Sequence, residues 1–168
     1  MAFVLEDGSG VADANAFASV AYVNAYFVDR GITSWTGSDA LKQSYIIRAT
    51  DYIVTRFGRR FKGEELYPDT QALPFPRTGD PAVEGMPDTL LKATAEYANR
   101  ARVAPLAPDP VVSDTGRTVT GSRRKVGPIE TETQYAAEGS SIMLLKPYPA
   151  ADMLMLPLLR RTAGVIRN

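Results

Sequence analysis

Apolar positions recur at helical spacing in three blocks before residue 104, and at strand spacing in one block after it. Ser19 reads as the N-cap of a first helix, because its hydroxyl can take an orphan N–H of the first turn. That helix runs to about Arg30, with Gly31 as a left-handed stop, and is mostly apolar (Val20, Tyr22, Val23, Tyr26, Phe27). Ser38 repeats the signal, with Asp39 favourable at the positive helix end. The second helix is predicted to run to about Phe57 and to close at Gly58. Its polar residues Ser44, Arg48, Asp51 and Thr55 form one narrow stripe. Leu41, Tyr45, Ile46, Ile47, Tyr52, Ile53, Val54 and Phe57 cover most of the rest. Such a helix needs neighbours on most sides, as the centre of a bundle or partly against another subunit. Pro87 suits the first turn of a third helix, which runs to about Val103. Leu90, Leu91, Tyr97, Ala98 and Ala101 form its buried face, and Lys92, Glu96 and Arg100 its wet face.

The segments between these blocks lack a period. Residues 1–18 read as a flexible lead. Residues 59–85 are a long proline- and glycine-rich connection that Leu73 and Phe75 pin down. Residues 104–116 are a linker, and 117–135 a hairpin with its turn at Gly121-Ser122. In that hairpin Ile129, Thr131, Thr133 and Tyr135 alternate with Glu130, Glu132 and Gln134, and Pro128 restricts the pairing. The last segment, 142–168, holds a short helix from about Ala150, interrupted at Pro157. Its MLMLPLL stretch is apolar on every side, so it docks on the chain's own core or on a partner. The fold class is therefore mainly α. A small bundle of three to four helices carries a β-hairpin insertion before the C-terminal helix, within a single domain over 1–168 whose helical core is 19–103.

Composition narrows the chemistry. Nineteen basic residues balance nineteen acidic ones, and there is neither cysteine nor histidine. Disulfides, thiolate chemistry, the usual zinc ligands and every histidine-dependent nucleophile are thereby excluded. No signal peptide and no membrane span is expected, which points to the cytoplasm. Phosphate-binding glycine motifs are missing. Ser122 and Lys125 have the spacing of a catalytic dyad but fall in a predicted turn. Glu64 and Glu65, or Glu130 and Glu132, are the carboxylates from which a glycosidase-like site would have to be built. Asp13 and Asn15 begin a calcium-loop pattern that Phe17 breaks. No catalytic, cofactor-binding or metal-binding residue is assigned, no cofactor is expected, and the chain reads as a non-enzyme.

The zero net charge hides an uneven distribution. Acids dominate the first 40 residues, while Arg56, Arg59, Arg60 and Lys62 form one basic cluster and Arg117, Arg123, Arg124 and Lys125 another. Trp35, Tyr45, Phe57, Phe61, Tyr67 and Phe75 supply aromatics near the first cluster, although Tyr45 and Phe57 sit on apolar helix faces. Basic residues with stacking aromatics are what a single-strand nucleic-acid-binding module uses. That module is the alternative functional reading.

The order of segments carries a resemblance. YVNAYF (22–27), Trp35 and SYIIRATDYIVTRF (44–57) are followed by ALPFPRTG (72–79) and GMPDTLLKATAEYANR (85–100). RKVGPIETETQY (124–135) and a proline- and leucine-rich end (147–159) complete the series. This order resembles the head–tail connector, or adaptor, proteins of tailed bacteriophages, a group often labelled DnaT-like single-stranded DNA-binding proteins. The resemblance implies a structural virion protein, made in the bacterial cytoplasm and located in the virion neck. It implies a dodecameric ring beneath the portal protein, docked to a downstream connector, stopper or tail-completion protein. Double-stranded DNA would pass through such a ring without sequence readout, and no membrane would be involved. On this reading Leu154, Met155, Leu156, Leu158 and Leu159 dock a partner or the portal. Arg123, Arg124 and Lys125 lie on a hairpin that faces the assembly or the DNA channel.

Overall fold

The computed structural model describes residues 2–110, 119–126, 129–135 and 145–160. The chain divides into two compact units, one built from Met1–Leu106 with Pro147–Asn168, the other from Ala107–Lys146. The first unit is the helical bundle. It contains α1 (Val20–Val28), α2 (Asp39–Phe57), α3 (Asp88–Val103) and α4 (Pro149–Met155). Single 3-10 turns follow α2 (Gly58–Arg60) and α4 (Leu156–Leu158). The mainly helical fold class read from the sequence is the observed one.

The helix ends follow the local chemistry. Ser19 Oγ accepts the Tyr22 N–H at 3.1 Å, and Ser38 Oγ accepts that of Leu41 at 3.4 Å. After α1, Gly31 adopts φ 63° while Gly31 N–H reaches Val28 O and Ile32 N–H reaches Phe27 O. This paired closure uses the left-handed residue that glycine tolerates. Gly58 behaves otherwise. Its φ is −48°, and the chain tightens into a 3-10 turn instead of stopping.

Helix α2 occupies the centre. Ile46, Ala49, Tyr52, Ile53 and Phe57 are buried, whereas Ser44, Arg48, Asp51 and Thr55 are all exposed, as the stripe predicts. Against α2 packs α3, whose Ala93, Ala95, Ala98 and Ala101 are buried and small enough to bring the two backbones close. On the wet face of α3 the ion pairs are Lys92 with Asp88 at 2.5 Å and Arg100 with Glu96 at 2.6 Å.

The N-terminal segment is not a loose lead. Glu6 is 2% exposed, and its carboxylate accepts the backbone N–H groups of Gly8, Gly10 and Val11 at 2.9–3.0 Å. Ala16, Phe17 and Ala18 are buried, and Phe17 N–H donates to Thr50 Oγ1 of α2. A buried carboxylate held by three amides fixes this segment, because leaving it unpaired would be costly.

The long connection covers the other side of the core. Two short strands, β1 (Glu64–Glu65) and β2 (Arg77–Thr78), pair antiparallel. Leu73 and Phe75 are buried, as expected, and the Phe75–Pro76 peptide is cis. Arg77 is only 6% exposed and donates to the carbonyls of Lys62 (2.6 Å), Gly63 (2.8 Å) and Pro74 (3.0 Å). One guanidinium therefore ties both limbs of the connection together.

The C-terminal segment closes the bundle. Ala151, Met155, Leu158 and Leu159 lie in the core. Asp152 is the polar anchor. It accepts from Arg56 Nη1 (3.0 Å) and Nη2 (3.4 Å), from Tyr148 N–H (3.0 Å) and from the Tyr97 hydroxyl. Burial, and then the bond to Asp152, push the Tyr97 hydroxyl well above the usual tyrosine range.

In the second unit β3 (Val119–Val126) pairs antiparallel with β4 (Ile129–Tyr135). Strand β3 runs unbroken through Gly121 and Ser122, so the predicted turn is not there. The register opposes Val126 to Ile129 at one end and slips by one residue between Val119 and Gly121. The glycine marks an irregularity in the ladder, which is the other thing a strand glycine does. The second part of the predicted linker, from 111 onward, and the chain start of the predicted hairpin at 117–118 lie outside the described residues, as do 136–144 and 161–168.

Candidate nucleic-acid interface

Among the described residues, backbone pairing brings exposed cations from distant parts of the chain together. Phe61 and Leu159 form an antiparallel bridge, flanked by Arg160 N–H to Arg60 O (2.8 Å) and Lys62 N–H to Leu158 O (3.0 Å). Side chains alternate across such a pair. Phe61 and Leu159 therefore enter the core, while Arg60 and Arg160, directly opposite each other, face solvent. Arg59 is also exposed and Lys62 is half-buried.

These cations are only partly offset. Lys62 Nζ lies 3.8 Å from Asp80, and Arg160 Nη2 lies 3.9 Å from Glu64. Both pairs are long and solvated, and such pairs hold their partners weakly. Arg77 and Arg56 belong to a different class. Arg77 has its donors on three carbonyls and a 3.7 Å contact to Glu65, and burial lowers its pKa. Arg56 is committed to Asp152 and to the Tyr52 hydroxyl at 2.5 Å.

Beside the exposed arginines lies an open groove of about 870 Å³. One wall is the end of α2 and its 3-10 turn, with Val54, Thr55, Arg59 and Arg60; the other is the stretch Gln71–Pro74. Gln71 is held in place, accepting the Tyr67 N–H at 2.9 Å and donating to Leu73 O at 2.6 Å.

The aromatics near the basic cluster mostly serve the core. Trp35, Phe57, Phe61 and Phe75 are buried and Tyr45 is half-buried, so Tyr67, 41% exposed, is the one open ring of the six. The expected docking leucines are divided as well. Met155, Leu158 and Leu159 fill this chain's own core and have no surface to offer a partner. Leu154 packs against that core half-buried, and Leu156 is 64% exposed. An apolar segment that fits an internal cavity is buried there before it meets any partner.

The second cluster sits on β3. There the register opposes Arg123 to Glu132, Arg124 to Thr131 and Lys125 to Glu130. Of the three bases on β3, two thus stand opposite acids, and Arg117 of the same cluster lies outside the described residues. Glu64 and Glu65 are both exposed, and Asn15 is used within the fold, its Oδ1 accepting the Val4 N–H. Among the described residues no group of three or more carboxylates gathers, and no helix is long and apolar enough to cross a membrane. Arg160 is the member of the surface that sequence reasoning missed. No local pattern marks it, because Leu158 and Leu159 are adjacent and both buried, and Arg160 meets Arg60 only through tertiary pairing.

One family model matches residues 1–168, and its description is "Putative DnaT-like ssDNA binding protein". The chain belongs to this DnaT-like family. The match corrects the resemblance to head–tail connectors, since the matching family is not a connector family. The expected ring, portal partner, passing duplex and neck location rested on that resemblance and lose their basis with it. No curated protein and no solved structure matches the chain.

Proposed function

We propose that this protein binds single-stranded DNA by its phosphates on the surface of Arg59, Arg60, Lys62 and Arg160. The observation that carries the reading is the apposition of Arg60 and Arg160 in a chain that belongs throughout to the DnaT-like family. Two exposed arginines brought side by side by one backbone bridge offer two forks to neighbouring phosphates. Few open rings accompany them, so the strand is held chiefly by its backbone. Neutral net charge and the nearby Glu64, Glu65 and Asp80 keep the affinity modest and let the strand be released.

Three to four phosphate contacts give a salt slope of about −2 to −3 for single strands. Affinity for a fluorescent oligothymidine should therefore fall about 20- to 50-fold between 50 and 200 mM salt. Replacing Arg60 and Arg160 together with alanine should flatten the slope by about 1.4. Anisotropy titrations read both quantities. A lack of binding at 50 mM salt, or an unchanged slope in the double variant, refutes the proposal.

A further inference from the structure

We infer that the groove next to the paired arginines receives one unstacked nucleobase, which is how the protein tells a single strand from a duplex. This rests on the proposed single-strand binding and adds a base site to a phosphate site. The groove has the chemistry of a flat, apolar ligand attached to an anion. Val54, Ala72, Leu73 and Pro74 provide apolar surface, and Arg59 and Arg60 stand at its edge. At about 870 Å³ it lies within the size range of small-ligand sites. Guanidinium planes also stack on bases, so the same arginines can touch a base face and its phosphate.

Part of the polar lining of the groove is already engaged within the fold. Both ends of the Gln71 amide are spent on Tyr67 N–H and Leu73 O. Arg56 is turned toward Asp152 and Tyr52. Glu65 lies beside Arg77, 3.7 Å away. Gln71 and Arg56 are thus engaged within the fold, while Thr55 and Glu65 stay exposed in the lining, and a base would enter on its apolar face. A duplex cannot supply one without breaking a pair and its stacking, which costs a few kcal/mol.

The test compares a normal oligonucleotide with one of equal length whose sites are all abasic, both titrated against the intact protein. Stacking on an aromatic ring is worth about 5- to 150-fold in affinity, and this groove has no ring, so the abasic strand should bind weaker by the low end, about 5-fold. Its salt slope should be unchanged, because its phosphates are intact. An Ala72→Ile variant, whose added carbons crowd one wall of the groove, should bring the two affinities closer together. Equal binding of the two strands by the intact protein, with a normal salt slope, overturns the base site and leaves phosphate binding standing. Failure of both strands to bind overturns both.

Discussion

Replacing Asp152 with alanine should destabilise the bundle by about 3 kcal/mol, at the low end of the range for breaking a buried ion pair. The carboxylate receives two contacts from Arg56, one from Tyr148 N–H and one from the Tyr97 hydroxyl. Removing it leaves a guanidinium and a buried phenol without their acceptor. The low end applies because the two charged side chains are 19% and 24% exposed, which lets water reach Arg56 in the variant. For a chain of this length that loss lowers the melting temperature by about 6–12 °C. Circular dichroism at 222 nm, in heat and in urea, measures it. Asp152→Asn keeps the shape and one acceptor oxygen, so it should fall between the wild type and Asp152→Ala. A loss under about 1 kcal/mol for Asp152→Ala, or equal losses for the two variants, would refute the view that this carboxylate anchors the C-terminal helix.

Two further expectations follow from single positions and from titration. Gly63 has φ 65°, and a Cβ there would lie 2.2 Å from Thr78 O, whereas Gly31 has φ 63° and open space around it. Gly31→Ala should therefore cost about 1–2 kcal/mol for the left-handed backbone alone, and Gly63→Ala clearly more, as read by paired urea titrations; equal costs would contradict the clash. Stability should hardly change between pH 6 and 8, since no histidine is present to titrate. It should fall in alkali: burial and a hydrogen bond to Glu96 push the Tyr26 hydroxyl up to about 12, and Tyr22 and Tyr97 are raised too. A pKa higher in the folded than in the unfolded chain contributes stability below pH 10 that is lost as pH rises toward 12. Tyrosine ionisation followed at 295 nm should accompany loss of helix, and full ionisation of a still-folded protein would refute this.

The helices were legible because each begins with a local signal and keeps one period. Ser19, Ser38 and Pro87 each mark a start, and the exposed stripe of α2 follows from spacing alone. The hairpin was legible as a pair of strands but not in its register. Gly121-Ser122 has the composition of a turn, yet the pairing of Val126 with Ile129 runs the strand past it. The N-terminal segment looked loose because nothing periodic marks a carboxylate folding back onto amides two to five residues ahead. The candidate site was half legible. Arg59, Arg60 and Lys62 are adjacent in sequence, but their apposition to Arg160 depends on tertiary pairing that no local window contains. Aromatic content misled in the other direction, because composition counts rings without saying which face the core.

The bridge between Phe61 and Leu159 makes folding and ligand recognition parts of one event. Residues 149–160 deliver Met155 and Leu158 to the interior and Arg160 to the surface in the same docking step. A chain still being synthesised presents Arg60 alone until that segment has emerged and docked. A protease that severs the segment would open the core and dismantle the arginine pair together. On the proposed single-strand reading, damaged or half-made molecules would lose Arg160 and with it part of their phosphate contacts.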